Sequence, residues 1–154
     1  KSKTIAQLCG EGQAYQGRIQ ARANARAARE QARLLMTGKK SKLIRWAPHS
    51  SVLPMELKQA DHHYKIVELT DENQLNREGA IMHHCVGGYT YKCVDEDGSI
   101  WSLREYKDGV WYSLVTIELD GNQIVQARGP FNATPTPEQR KVIRAWKKRE
   151  GLVW

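Results

Sequence analysis

The sequence predicts an α+β fold: an antiparallel three- to four-stranded β-meander packed with helices, plus a long basic N-terminal helix. Three observations carry that expectation. Residues 99–129 hold three runs rich in β-branched and aromatic side chains, separated by Asp108-Gly109 and Asp120-Gly121. Asp-Gly between alternating apolar runs is a strong hairpin signal. The C-terminal stretch "TPTPEQRKVIRAWKKREGL" has a capping box at its start and a glycine at its end, the punctuation of a single helix. Residues 14–36, "AYQGRIQARANARAAREQARLLM", are built from strong helix formers.

In the N-terminal helix Arg18, Arg22, Arg26, Arg29 and Arg33 fall at steps of four, four, three and four, on one stripe of a 3.6-residue period. Ala21, Ala25, Ala28 and Ala32 form a second stripe beside it. Gly38 ends the helix, and Lys39, Lys40 and Lys42 lie in a solvated linker. Residues 1–45 therefore read as a basic helical arm and linker, and 46–154 as the α+β domain. Pro48 and Pro54 break the next segment. A short helix is expected at Pro54–Gln59 and a strand at Tyr64–Leu69, with His49, His62 and His63 as surface loop or turn residues. Thr70 is read as the N-cap of a helix that runs through Leu75, weakens at Gly79 and resumes from Ala80 to Val86. Gly87 and Gly88 are its C-cap. Strands follow at 99–107, 110–120 and 122–129. Two-residue type I′ turns pair Lys107 with Val110 and Leu119 with Asn122. They give one face the rows Ile100–Ile117–Ile124, Ser102–Val115–Gln126 and Arg104–Ser113–Arg128. In the last helix Thr136 is the N-cap, Pro137 the first residue, and Val142, Ile143 and Trp146 the core face.

The formal net charge is +7, and residues 1–50 alone carry eleven Lys/Arg against two Glu, leaving the remainder slightly acidic. A basic stripe whose arginines repel one another calls for an anionic partner, and phosphate is the one that suits a nucleic-acid-binding protein. No apolar run approaches the roughly 18 residues of a membrane span, so no membrane association is expected. No export signal stands at Lys1. Three cysteines are too few and too odd for a disulfide scaffold, which points to a reducing, cytoplasmic setting.

"EGAIMHHCVGGYTYKC" (78–93) concentrates the reactive side chains. Zinc needs four ligands, yet His84 and Cys85, adjacent on a helix, point about 100° apart, and no second Cys-x-x-Cys or His-x-x-x-His pair exists. No metal or cofactor is expected. Cys85 near a helix C-terminus faces the wrong end of the dipole for a thiolate, so it reads as a packed small hydrophobe, with Gly87, Gly88 and Tyr89 as structural members of the motif. The sheet row bearing Arg104 and Arg128, beside Ser102 and Gln126, sets two guanidiniums on one face. Either a carboxylate such as Glu105 or Glu118 holds them apart, or a phosphate does, because the guanidinium fork matches phosphate oxygens.

Five ordered blocks then mark a resemblance: "LNREGAIMHHCVGGYTYKC", "SIWSLR", "VTIEL", "IVQARGPFN" and a helix with "RAW". Over roughly 75–152 they resemble the PcfJ-like proteins of conjugative plasmids, phages and related mobile elements. Positions matching the family pattern include Glu78, Gly79, Met82, His84, Cys85, Val86, Gly87, Tyr89, Cys93, Ser102, Arg104, Thr116, Glu118, Gln126, Arg128, Asn132 and Trp146. Pro130 departs from it, standing where a basic residue is expected. The resemblance implies a mobile-element setting and work on DNA or RNA.

The leading expectation is a metal-independent phosphodiester-cleaving domain, possessing a nuclease-like site. His84 or His83 would serve as acid or base, and Arg104 and Arg128 would hold the phosphate. Gln126 and Ser102 would donate hydrogen bonds, with Glu118 nearby. The Arg18–Arg33 stripe and Lys39, Lys40 and Lys42 would hold the strand. Two alternatives are a non-enzymatic DNA- or RNA-binding module and an interaction module whose basic helix docks an acidic partner protein or an upstream domain. In the predicted register Glu118 lies on the other face of the sheet from Arg104 and Arg128, which leaves either that register or its role open.

Overall fold

The computed structural model describes residues 43–84, 93 and 98–154, together with ten positions between 18 and 36. The chain divides into two compact units, Lys1–Lys42 and Leu43–Trp154. In the first, Arg18, Arg22, Arg26, Arg29 and Arg33 and the alanines at 21, 25, 28 and 32 have helical backbone and are exposed. The continuous helix expected over 14–36, and Lys39, Lys40 and Lys42, lie largely or wholly outside the described residues.

The second unit is a five-stranded antiparallel sheet whose spatial order equals its sequence order. The strands are β1 (Met55–Gln59), β2 (His62–Leu69), β3 (Ser99–Lys107), β4 (Val110–Asp120) and β5 (Gln123–Arg128). Helix α1 (Glu72–Met82) connects toward β3, and helix α2 (Pro137–Glu150) follows a short 3-10 turn at Pro130–Asn132. Strand alternation sorts the core. Ile66, Trp101, Leu103, Val115 and Ile117 share one face with Val142, Ile143 and Trp146 of α2. Leu69 and Ile100 point the other way, against Leu75 of α1 and Cys93, with Trp46 at the margin. Among the described residues, α2 therefore packs on one face of the sheet and α1 on the other.

The helix expected at Pro54–Gln59 is instead strand β1. Met55 and Leu57 alternate with Glu56 and Lys58, and Met55 pairs with Ile66 and Leu57 with Tyr64. β2 begins at His62, so His62 and His63 are strand residues rather than loop residues. His49 does sit in a loop, where its Nδ1 accepts the amides of Ser51 and Val52 at 3.2 Å.

The first Asp-Gly turn is as expected. Asp108 (φ 49°) and Gly109 (φ 82°) are both left-handed, and Lys107 pairs with Val110. The second turn is displaced by one residue, with Asp120 pairing with Gln123. Each pairing also carries an irregularity, between Leu103 and Arg104 against β4 and between Glu118 and Leu119 against β5. A bulge places an extra residue on one strand and shifts everything beyond it by one. The expected rows are therefore replaced by Ile100–Glu118–Gln126 and Ser102–Thr116–Arg128, with Arg104 opposite Ser113. Because the side-chain period is two, this shift moves Glu118 to the face of Arg104 and Arg128.

α2 follows its punctuation. Thr136 accepts from the Gln139 amide at 3.2 Å, the Gln139 side chain accepts from the Thr136 amide at 2.9 Å, and Gly151 closes the helix at φ 67°. Replacing Thr136 with alanine is expected to lower stability by about 1 kcal/mol, readable as a lower denaturant midpoint with an unchanged slope. The segment after α2 returns to the sheet, where Val153 bridges Gln123 in parallel and accepts the Ile124 amide at 2.7 Å.

Candidate functional site

α1 begins at Asp71, whose carboxylate accepts the Gln74 amide at 2.8 Å. Thr70, the expected cap, stands one residue outside, with its own amide held by the Gln74 side chain at 2.8 Å. The helix runs uninterrupted through Gly79. Its buried stripe is Leu75, Glu78, Ile81 and Met82, so an acidic side chain is carried into the space between helix and sheet. Glu78 is 1% exposed.

A buried carboxylate is tolerated only when its oxygens are satisfied. Thr116 donates to one Glu78 oxygen at 2.8 Å and Ser113 to the other at 3.0 Å. The Arg104 guanidinium lies 3.9 Å from the second oxygen. Arg104 Nε donates to Ser102 Oγ at 3.1 Å, and Ser102 donates to Ser113 at 3.4 Å. Burial pushes the Glu78 carboxyl above its ordinary range, and Arg104 with the hydroxyls pulls it part of the way back. Burial likewise lowers the basicity of Arg104, opposed by Glu78; a guanidinium nevertheless keeps its proton in proteins. Glu78, rather than Glu105 or Glu118, is thus the carboxylate set against Arg104.

The C-terminus of α1 forms a second part of the site. His83 takes a left-handed conformation (φ 52°, ψ 49°) and ends the helix, its amide bonded to the Gly79 carbonyl, which also accepts from His84 at 3.3 Å. The helix thus ends at Met82, before the Val86 end expected for it. Those glycines, Cys85 and Tyr89 lie outside the described residues. The His83 ring stacks on Phe131, with centroids 4.4 Å apart and planes 5° from parallel. Phe131 and Asn132 are left-handed too, at φ 56° and 60°. Non-glycine residues in that region cost about 1–3 kcal/mol each and gather at functional sites. The Nε2 of His84 is buried with no hydrogen-bond partner among the described residues. Burial lowers its pKa below the ordinary 6.5, so the ring is neutral at neutral pH.

Of the residues expected to form the site, the sheet brings Arg104, Glu118, Gln126 and Arg128 to one face, with Ser102 and Thr116 among them. Arg128 and Gln126 are exposed. Arg104 and Arg128 share the face without sharing a row. His83 and His84 stand at the helix end that meets the turn three residues beyond Arg128. Sequence reasoning did not place Glu78, Ser113 or Thr116 in a cluster. The signal was present: Leu75, Glu78 and Met82 at i, i+3 and i+7 put a carboxylate inside an apolar helical stripe. Among the described residues no three His, Cys, Asp or Glu side chains gather as a metal site.

A family model described as PcfJ-like protein matches residues 11–144. The Listeria innocua serovar 6a protein Lin1253/Lin1744 is 29% identical over 93 residues, which cover 59% of this chain and 20% of that protein. The chain thus spans about a fifth of that relative's length. No solved structure matches it.

Proposed function

The chain belongs to the PcfJ-like protein family, and from that membership and the geometry above we propose that it acts on nucleic acid, as a metal-independent phosphodiester-cleaving domain in a mobile-element setting. The observation that carries this reading is the His84 imidazole, kept neutral by burial and unpartnered at Nε2 among the described residues. It stands at the helix end beside the face that bears Arg104, Gln126 and Arg128. In the proposed reaction His84 takes a proton from water as the water oxygen bonds to phosphorus. The phosphorus–oxygen ester bond breaks, and the leaving oxygen is protonated from solvent. Arg128, helped by the exposed part of Arg104, stabilises the charge gathering on the phosphoryl oxygens, and Gln126 donates to them. Arg18, Arg22, Arg26, Arg29 and Arg33 add phosphate contacts along the strand. No helix among the described residues is long and apolar enough to cross a membrane, and a cytoplasmic setting is part of the proposal.

A second reading, binding without cleavage, is favoured by one observation: Arg104 is already held by Ser102 and set against Glu78. Labelled DNA and RNA, incubated with and without EDTA, separate the two. Cleavage is expected to survive EDTA and to fall about 100- to 10,000-fold in His84→Ala, with binding retained. Its rate should rise through an inflection below pH 6.5 as the imidazole loses its proton. Steep salt-dependent binding with no cutting would leave only the second reading, and salt-insensitive or absent binding would remove both.

A further inference from the structure

Beyond the region covered by α1, the same sheet face continues to the Asp108–Gly109 turn. There it carries an aromatic row across three adjacent strands: His63 of β2, Tyr106 of β3 and Trp111 of β4. Tyr106 lies opposite Trp111, their ring centroids 5.2 Å apart and tilted by 59°. His63 meets Trp111 edge-on at 4.8 Å and Tyr106 at 5.9 Å. The neighbouring row on the same face is cationic. Lys65 pairs across strands with Arg104, and Lys65 Nζ sits 4.0 Å from the centre of the Trp111 ring.

We infer that this corner is a base-stacking platform for a single-stranded nucleic acid, with bases laid on Tyr106 and Trp111 and the backbone phosphates drawn to Lys65 and Arg104. The inference rests on the nucleic-acid reading and deepens it by naming the form of the strand. Three features support it. Tyr106 stays 43% exposed; cross-strand aromatic pairing also stabilises hairpins, but that role needs no open ring. Aromatic rings on the middle strands of an antiparallel sheet offer every base a π-face, the chemistry of sequence-tolerant single-strand binding, whereas a stacked duplex hides its bases from such rings. The cations beside the rings also repel one another. Burial and the nearby Arg104 charge both push the Lys65 pKa down, and Arg77 on α1 adds a third positive charge against Arg104. A phosphate placed between them relieves that repulsion. Two carboxylates offset part of that repulsion, Glu78 at Arg104 and Glu56 at Lys65, and Glu56 is also engaged by a hydrogen bond with the His63 ring.

The full chain is titrated with a fluorescein-labelled oligothymidylate and with a duplex of equal length at two salt concentrations. Tyr106→Ala is expected to weaken oligothymidylate binding about 5- to 150-fold, the loss of one stacked base, and to change duplex binding by less than about twofold. Tyr106→Phe keeps the ring and should restore affinity, which separates stacking from a general loss of folding. Lys65→Ala should lower the salt slope for the single strand by about one phosphate contact. If wild type binds both forms with steep salt dependence and Tyr106→Ala changes neither or both alike, the platform is wrong while the nucleic-acid reading stands. If wild type binds neither form, the nucleic-acid reading itself falls and takes this inference with it.

Discussion

Replacing Glu78 with alanine is expected to destabilise the sheet unit by about 3–5 kcal/mol, the cost of removing one partner from a buried, hydrogen-bonded ionic cluster. The substitution leaves the Ser113 and Thr116 hydroxyls without their shared acceptor, and it leaves the Arg104 guanidinium in a buried setting without its carboxylate. Chemical denaturation followed by tryptophan fluorescence reads the loss, and a change under about 1 kcal/mol would show that the cluster is not a unit. Glu78→Gln keeps the shape and one acceptor, so its cost is smaller and it serves to test protonation. Because burial raises the folded-state pKa of Glu78 above the ordinary 4.5, its proton is held more tightly in the folded chain than in the unfolded one. That contribution is complete below pH 4.5 and is lost as pH rises from there through the folded-state value. Wild type should therefore lose stability relative to Glu78→Gln on going upward from pH 4.5. A flat difference would mean that Arg104 and the hydroxyls cancel the burial effect.

The other large effect lies on the opposite face. Trp146 is fully buried, packs against Trp101 with ring centroids 5.0 Å apart, and donates its indole N–H to the Leu53 carbonyl at 2.9 Å. Trp146→Ala is expected to cost about 3–5 kcal/mol from lost burial and the cavity left behind. Trp146→Phe retains a ring, and the loss there should be about 1 kcal/mol, from one hydrogen bond, because the Leu53 carbonyl still accepts from the Arg149 guanidinium at 3.1 Å. Both should shift the denaturant midpoint. Under the proposed nucleic-acid function, Trp146→Phe below its own melting temperature should match wild type in the binding assay, because the sheet separates α2 from the face bearing Arg104 and Arg128. Impaired binding in folded Trp146→Phe would place α2 in the interface.

The parts of the fold legible beforehand were those in which local chemistry and global packing ask for the same residue. Asp108-Gly109 can adopt the paired positive φ values of its turn, and Thr136, Gln139 and Gly151 have one obvious use. The β1–β2 hairpin was hidden because its turn places Ala60 at φ 51°, a conformation that alanine does not advertise. Pro54 followed by Met-Glu-Leu-Lys-Gln also satisfies a helix start, and only pairing with β2 decides against it. The two bulges were hidden as well. Nothing in the sequence around Leu114 or Val125 distinguishes an inserted residue from a paired one, and packing of the core faces sets where the ladder slips. That slip alone determined whether Glu118 shared a face with Arg104, so which side chains stand together on that face was not readable from the sequence. His83 as a helix cap was masked by two glycines downstream that suit the role better on propensity.

The strand pairings follow sequence order, and three of the four are joined by short turns. The exception, β2 to β3, is the connection that contains α1, and with it Glu78, His83 and His84. Because this helix supplies no rung of the sheet, it can lift away while every strand pairing stays intact. Its opening free energy is bounded by the Glu78 cluster and the Leu75, Ile81 and Met82 contacts rather than by global unfolding. Amide hydrogens of α1 should accordingly exchange with solvent before those of β3 and β4. The same opening would break the Arg104 contact with Glu78 and uncover Arg104; under the proposed function, that is the side chain an incoming phosphate would meet.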